Sequence, residues 1–262
     1  MIYFDYSAGA PMRLEVVSRL AELQAQGLAN PSSIHQAGRR ARQVLEAARE
    51  VIARSFGASV REVVFTGSAS EAAALAIVGG FQGRSDRSKT RIVASTIEHP
   101  CVLGSIEILR RAGAQVHWIH PNSNGVVSVA DFEEALTQDT ALCSLMWVNN
   151  ETGAIQPVPE ISRLCRQRGI LFHSDAVQAV GRIPAGLRDA PASFLSFSSH
   201  KLGGPAGVGV LIVDRQIPTQ NLVAGHQEQG RRGGTPNVAN CDAMALAVEL
   251  AISEHSIQSD RL

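Results

Sequence analysis

The sequence lacks an excess of charge of either sign. Its 262 residues include 24 Lys and Arg and 24 Asp and Glu, so the formal net charge at pH 7 is zero. Because proteins that bind nucleic acid through its phosphates usually carry a basic excess, this balance argues against that class. Charged residues make up only 18% of the chain and hydrophobic residues 45%, which argues against a disordered chain.

Long apolar runs are also absent. The densest stretches, residues 142–148 and 208–213, are far shorter than the roughly 20 residues that a membrane-spanning helix needs. Asp5 interrupts the start of the chain and no basic-then-apolar pattern follows, so we predict no signal peptide. We therefore expect no association with a membrane.

Cysteine is scarce, and its spacing is uninformative for metal binding. The cysteines are widely separated and form no C-x-x-C pair, so neither a disulfide framework nor a zinc site is expected. This usage predicts a reducing, cytoplasmic compartment. We interpret all four as buried packing residues: Cys101, Cys143, Cys165 and Cys241.

Short β-branched runs alternate with helical patterns along most of the chain. This alternation predicts an α/β fold with a mostly parallel central sheet flanked by helices. The predicted strands are residues 63–65, 91–94, 115–119, 141–148, 170–173, 194–197 and 208–213, and the predicted helices are 70–78, 101–112, 129–136 and 161–167. A polar, Gly-containing stretch at 79–89 predicts a surface loop.

The last segment has a helical pattern that runs past Ile257 without a Gly or Pro to end it. Two interpretations are open. Residues 236–262 form a C-terminal docking helix, or the chain ends inside a larger fold.

Polar side chains follow successive predicted strands. Because ligands of open parallel sheets bind beyond the carboxyl ends of the strands, these residues are candidates for one shared site. They occupy positions 66–71, 98–99, 149–151, 174–175 and 198–201. The small residues of 66–71 fit a phosphate at a helix N-terminus, or an ordinary cap by Ser68 or Ser70.

Two single residues stand out within these clusters. Asp175 directly follows a buried strand, and burying its carboxylate there costs free energy unless a positively charged partner is present. It fits a cap, a metal ligand or the partner of a protonated ring nitrogen, although no second carboxylate lies nearby in sequence. Lys201, one of only two lysines, precedes a Gly-rich turn. A lysine in a cleft can lose its proton and form a Schiff base; the alternative is a solvated loop lysine.

Histidines and arginines give weaker signals. His99 fits either a loop or cap role or a functional one. His117 and His120 are three apart in a predicted strand and make a poor metal pair. Residues 231–235 form a basic, glycine-containing loop that suits an anion, or simply a solvated loop.

Six stretches together resemble a known family. The chain resembles the pyridoxal-phosphate-dependent cysteine desulfurases of the class V aminotransferase group, in order and over nearly its whole length. The matching residues are 30–35 with 38–39, 97–100, 149–153 with 155–157, 172–178, 198–201 with 204–205, and 232–237. The resemblance implies the large domain of fold type I, with the small domain largely missing. It also implies a division into an N-terminal segment (1–14), a cofactor-binding domain (15–240) and a truncated interdomain helix (241–262).

The resemblance implies a role for each residue near the reacting end of the cofactor. Lys201 would hold pyridoxal phosphate covalently, and Asp175 would pair with its pyridine nitrogen so that the ring withdraws electrons. Gln178 would donate to the phenolic oxygen, with Asn150 close by. His99 would stack on the ring and assist proton transfer.

It also implies how the phosphate end is bound. Ala69 and Ser70 at a helix start, with Ser198 and His200, would bind the phosphate. Thr235 would reach the phosphate of a partner subunit, which implies a homodimer.

The implied reaction converts L-cysteine to alanine and leaves the sulfur as a persulfide on an enzyme cysteine, for a sulfur-acceptor protein such as those of iron–sulfur cluster assembly. In the family, the persulfide cysteine and the arginine that binds the substrate carboxylate lie well beyond the position of Thr235. We identify no candidate for either role in residues 236–262, so we expect weak or no sulfide release. Two alternatives stay open: another class V aminotransferase or lyase, and a non-catalytic cofactor-binding paralogue.

Overall fold

The structure is a computed structural model that describes residues 2–187 and 189–255. Seven strands form one sheet in the spatial order β1-β7-β6-β5-β4-β2-β3. Their bounds are β1 (Val63–Thr66), β2 (Arg91–Ser95), β3 (Gln115–Ile119), β4 (Thr140–Ser144), β5 (Leu171–Asp175), β6 (Phe194–Ser198) and β7 (Gly209–Val213). Neighbouring strands from β3 to β6 are parallel, whereas β7 is antiparallel to both β6 and β1. The predicted mostly parallel sheet is confirmed.

Helices cover both faces of this sheet. Their bounds are α1 (Leu14–Ala25), α2 (Gln36–Phe56), α3 (Ala69–Ala74), α4 (Gly80–Gly83), α5 (Pro100–Arg111), α6 (Val129–Ala135), α7 (Val158–Gln167) and α8 (Val238–Ser253). Strands β1, β4, β6 and β7 are buried at every position, because both faces are covered. The edge strand β3 instead alternates between more and less exposed residues.

The largest core cluster lies on the face of the sheet covered by α2 and α8. Ile52 and Phe56 of α2 and Met244 and Val248 of α8 are almost fully buried in it. Much of the buried surface of α8 is alanine, which lets the two helices approach closely. The predicted domain boundary at residue 240 falls inside α8, which is continuous from Val238 to Ser253; the division itself stays a prediction. The helical pattern beyond residue 255 lies outside the described residues.

Two sequence-based predictions need correction. The surface loop predicted for 79–89 is wrong at its start, because α3 continues through a π-helical turn (Leu75–Gly79) into α4. This segment is helical because its apolar side chains pack against one face of the sheet. At Gly80 the helix approaches the sheet closely, since a Cβ there would lie 2.6 Å from the ring of Phe194. The strand predicted for 141–148 ends at Ser144, and only Val148 forms a further bridge, to Ile155.

Within the described part of the chain, no helix is both long enough and apolar enough to cross a membrane.

Candidate active site

A cavity of about 520 Å³ opens at the carboxyl ends of the parallel strands. The predicted site residues, with the exception of Thr235, line it: Ala69, Ser70, His99, Asn150, Asp175, Gln178, Ser198, His200 and Lys201. The polar residues at successive strand ends therefore share one site. Thr235 lies exposed in the loop before α8, outside this cavity.

One end of the cavity is formed by the turn between β1 and α3. The Ser68 side chain caps α3 by accepting from the backbone N–H of Glu71 at 3.1 Å. Gly209, the first residue of β7, allows this turn to approach, since a Cβ there would lie 2.6 Å from the backbone nitrogen of Ala69. The backbone of Ala69 and Ser70 thus starts a helix at the cavity wall, an arrangement that favours an anion.

Ser198 faces the same end from the last position of β6. The residue is 1% exposed, and its hydroxyl oxygen has no hydrogen-bond partner among residues 2–187 and 189–255. Buried hydroxyls are normally paired, so an unpaired one on a cavity wall indicates a position for a ligand acceptor or donor.

Asp175 lies deeper in the cavity, at the end of β5. Its Oδ1 accepts from the backbone N–H of Val177 at 2.9 Å. Burial raises the pKa of this carboxyl, while that hydrogen bond and the nearby His99 and Lys201 oppose the rise. No basic side chain of the described residues forms an ion pair with it. A ligand that brings a positive charge would compensate the buried carboxylate.

Lys201 lies on the turn that connects β6 to β7. Its Nζ donates to the carbonyl oxygen of Ser7 and, at 2.7 Å, to that of Ala8. The Nε2 of Gln178 donates to the same Ser7 oxygen at 3.0 Å. Partial burial lowers the pKa of Lys201, and the positive charge of Arg182 lowers it further. The amine is therefore easier to deprotonate than an ordinary lysine.

His99 caps α5, with Pro100 at the first helical position. Its Nδ1 accepts from the backbone N–H of Cys101 at 3.2 Å and lies 3.0 Å from the Cys101 Sγ. The prediction that Cys101 is buried is wrong: it packs against a core cluster but is only partly buried, and it also lines the cavity. Cys143, Cys165 and Cys241 are buried, as predicted.

A buried polar chain that the sequence analysis did not predict runs across the sheet beside the cavity. Glu98 Oε1 accepts from the hydroxyl of Ser95 at 2.6 Å and from the backbone N–H of Met146 at 2.7 Å. Its Oε2 lies 3.5 Å from the hydroxyl of Ser144, which is 2.9 Å from His173 Nδ1. Burial raises the pKa of Glu98 to about 7 and lowers that of His173 to about 3.

Two ion pairs hold the loop that carries Thr235. Arg49 and Glu228, both buried, pair at 2.6 Å, and Glu228 also accepts from the backbone N–H of Phe65 at 2.8 Å. Arg232 pairs with Glu71 at 2.8 Å. The basic loop at 231–235 is thus partly neutralised. Partners so distant in sequence leave no local pattern, which is why the sequence did not reveal them.

No group of three His, Cys, Asp or Glu side chains that could hold a metal ion occurs among the residues that the structure describes.

The sequence profile of the family described as Aminotransferase class-V matches residues 2–261. The chain belongs to this family. Among curated members it is 38% identical to the cysteine desulfurase IscS of Dictyoglomus turgidum over 262 residues, which are 100% of this chain and 66% of that protein. It is 39% identical to an IscS-like cysteine desulfurase of Mycobacterium tuberculosis over 268 residues, covering 100% of this chain and 68% of that one. The chain thus spans about two thirds of the length of these relatives.

Solved structures support the same assignment. A NifS-like protein superposes with a TM-score of 0.95 at 34% identity, covering 99% of this chain and 72% of that one. The structure described as SspA in complex with cysteine gives a TM-score of 0.90 at 36% identity, covering 95% of this chain and 72% of that one. The fold is that of the large domain of fold type I, as predicted, and this chain covers 72% of each of these two chains.

Class V aminotransferases and cysteine desulfurases depend on pyridoxal phosphate. The cavity of this class V chain fits that cofactor. The unpaired Ser198 hydroxyl and the start of α3 suit its phosphate, and the buried Asp175 suits a protonated ring nitrogen. Lys201 supplies an amine with a lowered pKa in the same cavity.

Proposed function

We propose that the chain carries the cofactor site of a pyridoxal-phosphate-dependent cysteine desulfurase, which cleaves the carbon–sulfur bond of L-cysteine to give alanine and persulfide sulfur. One observation carries the proposal: a single cavity brings together Lys201, Asp175 and His99 beside an unpaired buried hydroxyl. The names of the relatives, and the cysteine bound in one similar structure, support cysteine as the substrate.

In this proposal Lys201 holds the cofactor covalently and Asp175 keeps its ring nitrogen protonated. The bound cofactor supplies an electron sink for charge that develops on the substrate carbon. Gln178, with Asn150 nearby, donates to the phenolic oxygen. His99 packs on the ring and moves a proton at its imidazole.

The phosphate end is assigned to four residues that line the same cavity. Ala69 and Ser70 contribute the start of α3, and Ser198 and His200 contribute side chains from β6 and the residues after it. Gly209 permits the close approach of the α3 turn to the sheet.

The electrostatics of the site are consistent with these roles. Burial lowers the pKa of Lys201, which favours the neutral amine that attacks an aldehyde. Burial raises the pKa of Asp175, which a cationic ring nitrogen would counteract by stabilising the carboxylate.

The proposed partners follow from the same assignment. We propose a cytoplasmic homodimer in which Thr235, exposed on the loop before α8, reaches the phosphate bound by the other subunit. A sulfur-acceptor protein would take the persulfide sulfur.

Cofactor titration tests the site. The purified chain mixed with pyridoxal phosphate should develop a visible absorption band, and Lys201→Ala should abolish it. Lys89→Ala is a matched control, because the chain has only these two lysines. Reduction with borohydride followed by peptide mass mapping should place the cofactor on Lys201. A band of wild-type strength in Lys201→Ala would refute the assignment.

Substrate addition tests the reaction. L-Cysteine should alter the absorption of the cofactor-loaded chain, whereas L-serine at the same concentration should not. Sulfide release in the presence of a reductant, measured in parallel, should be weak. A cofactor-loaded chain that does not respond to L-cysteine would instead favour the non-catalytic alternative.

A further inference from the structure

We propose that Cys101 is a positioning residue that holds the His99 ring in the neutral tautomer protonated at Nε2. Its backbone N–H and its thiol both donate to Nδ1 in this arrangement. The significance for catalysis rests on the proposed function, but the tautomer is a property of this chain alone.

One donor to the His99 ring cannot reverse its role. The backbone N–H of Cys101 points at His99 Nδ1 with a nitrogen–nitrogen distance of 3.2 Å. A backbone N–H can only donate, so Nδ1 must present its lone pair. The proton of the neutral ring is then on Nε2.

The thiol of Cys101 adds a second donor. Its Sγ lies 3.0 Å from Nδ1, and because Nδ1 is an acceptor, the S–H must donate. The state of the thiol agrees with this role. Burial, together with the negative charge of Asp175, raises the pKa of Cys101 to about 11, so the sulfur keeps its proton at neutral pH.

The protonation state of the thiol also bears on its reactivity. A nucleophilic cysteine would need to be a thiolate, which the raised pKa opposes.

The two ring nitrogens of His99 therefore have fixed roles, with Nδ1 as the acceptor and Nε2 as the donor. Nε2 is on the opposite edge of the ring from Nδ1, and His99 lines the cavity together with Asp175. The resting imidazole thus offers a donor, not a base, at Nε2. Cys101, which fixes this tautomer, lies two residues after His99 at the start of α5.

The test is NMR of the cofactor-free chain of 262 residues with 15N-labelled histidine. The protonated and unprotonated ring nitrogens have clearly different 15N shifts, and His99→Gln identifies the His99 signals among those of the eight histidines. Wild type should show Nε2–H. Cys101→Ala should lower the ratio of the Nε2–H to the Nδ1–H tautomer about fivefold, the effect of losing one ordinary hydrogen bond, and should move the Nδ1 shift.

Two further variants separate positioning from general damage. Cys101→Ser keeps a donor and should restore the wild-type Nδ1 shift. Cys165→Ala removes a buried thiol on α7 and should leave the His99 signals unchanged. An Nδ1–H tautomer in wild type, or an Nδ1 shift identical in wild type and Cys101→Ala, would overturn the proposal. Because no cofactor is present, failure of the proposed function would leave this result intact.

Discussion

Glu98 provides a quantitative test of the buried polar chain beside the cavity. Its side chain is held by Ser95 and by the backbone of Met146, and the residue is only 4% exposed. Burial raises the pKa of this carboxyl from its ordinary 4.5 to about 7. The perturbation is Glu98→Gln, which keeps the carbonyl acceptor and replaces the protonated hydroxyl with an amide.

Proton linkage gives the sign of the change in the free energy of unfolding with pH. Between pH 4.5 and about 7 the folded state binds a proton at Glu98 that the unfolded state has lost, so stability falls as the pH rises through this window. At about 1.4 kcal/mol for each pH unit, the wild type loses about 3 kcal/mol that Glu98→Gln does not lose. Asp175 is present in both proteins, and its negative charge adds to the effect of burial on the pKa of Glu98.

Urea unfolding of the cofactor-free chain between pH 4.5 and 7.5 measures this difference. The free energy of unfolding of Glu98→Gln minus that of wild type should increase by about 3 kcal/mol across the range. Glu134→Gln, which removes an exposed carboxylate on α6, is the control and should show a flat difference. A flat or opposite trend for Glu98→Gln would show that the carboxyl is already ionised at pH 4.5, and the reasoning would fail.

Two other substitutions probe the supports of the site. Glu228→Ala should lower the free energy of unfolding in urea by about 3 kcal/mol, because buried Arg49 loses its short contacts with Glu228 and keeps only a longer ion pair, of 3.3 Å, with Glu46. Glu249→Ala, from an exposed pair with Arg54, should cost at most about 1 kcal/mol. Equal effects of the two substitutions would contradict the argument from burial. Gly209→Ala should weaken pyridoxal phosphate binding in an absorbance titration, because the added Cβ would displace the Ala69 backbone. Gly104→Ala is the control: the added Cβ has no neighbour within 4 Å, so this variant should bind the cofactor like the wild type.

The alternating pattern of the sequence predicted the strands well because their buried positions are β-branched or aromatic over short runs. It did not predict their spatial order. Strand β7 lies between β1 and β6, an arrangement set by contacts between residues far apart in the chain, such as Val63 with Ile212. Helices α1 and α2 were also absent from the prediction, although α2 ends at a left-handed Gly57 cap that the sequence displays.

The part of the candidate site that lies at the carboxyl ends of strands could be predicted from the sequence. Asp175, Lys201 and His99 follow buried strands, and the rule that ligands bind at carboxyl ends places them together. Cys101 was missed because its apolar neighbours indicate a core residue; the available signal was its position directly after His99 and Pro100, a cap followed by a first-turn proline. The contact of Arg49 with Glu228 could not be predicted, since it joins residues 179 apart in sequence.

The antiparallel direction of β7 has a consequence for the motion of the reactive amine. Lys201 lies in the connection between β6 and β7, and paired strands flank this connection on both sides. Within the connection, the backbone N–H groups of Leu202 and Gly204 donate hydrogen bonds to the Ser199 carbonyl oxygen. The backbone under Lys201 is therefore tethered, and the amine moves relative to Asp175 by side-chain torsions, which change in picoseconds to nanoseconds. Capture or release of a ligand by this lysine need not wait for slower loop movement.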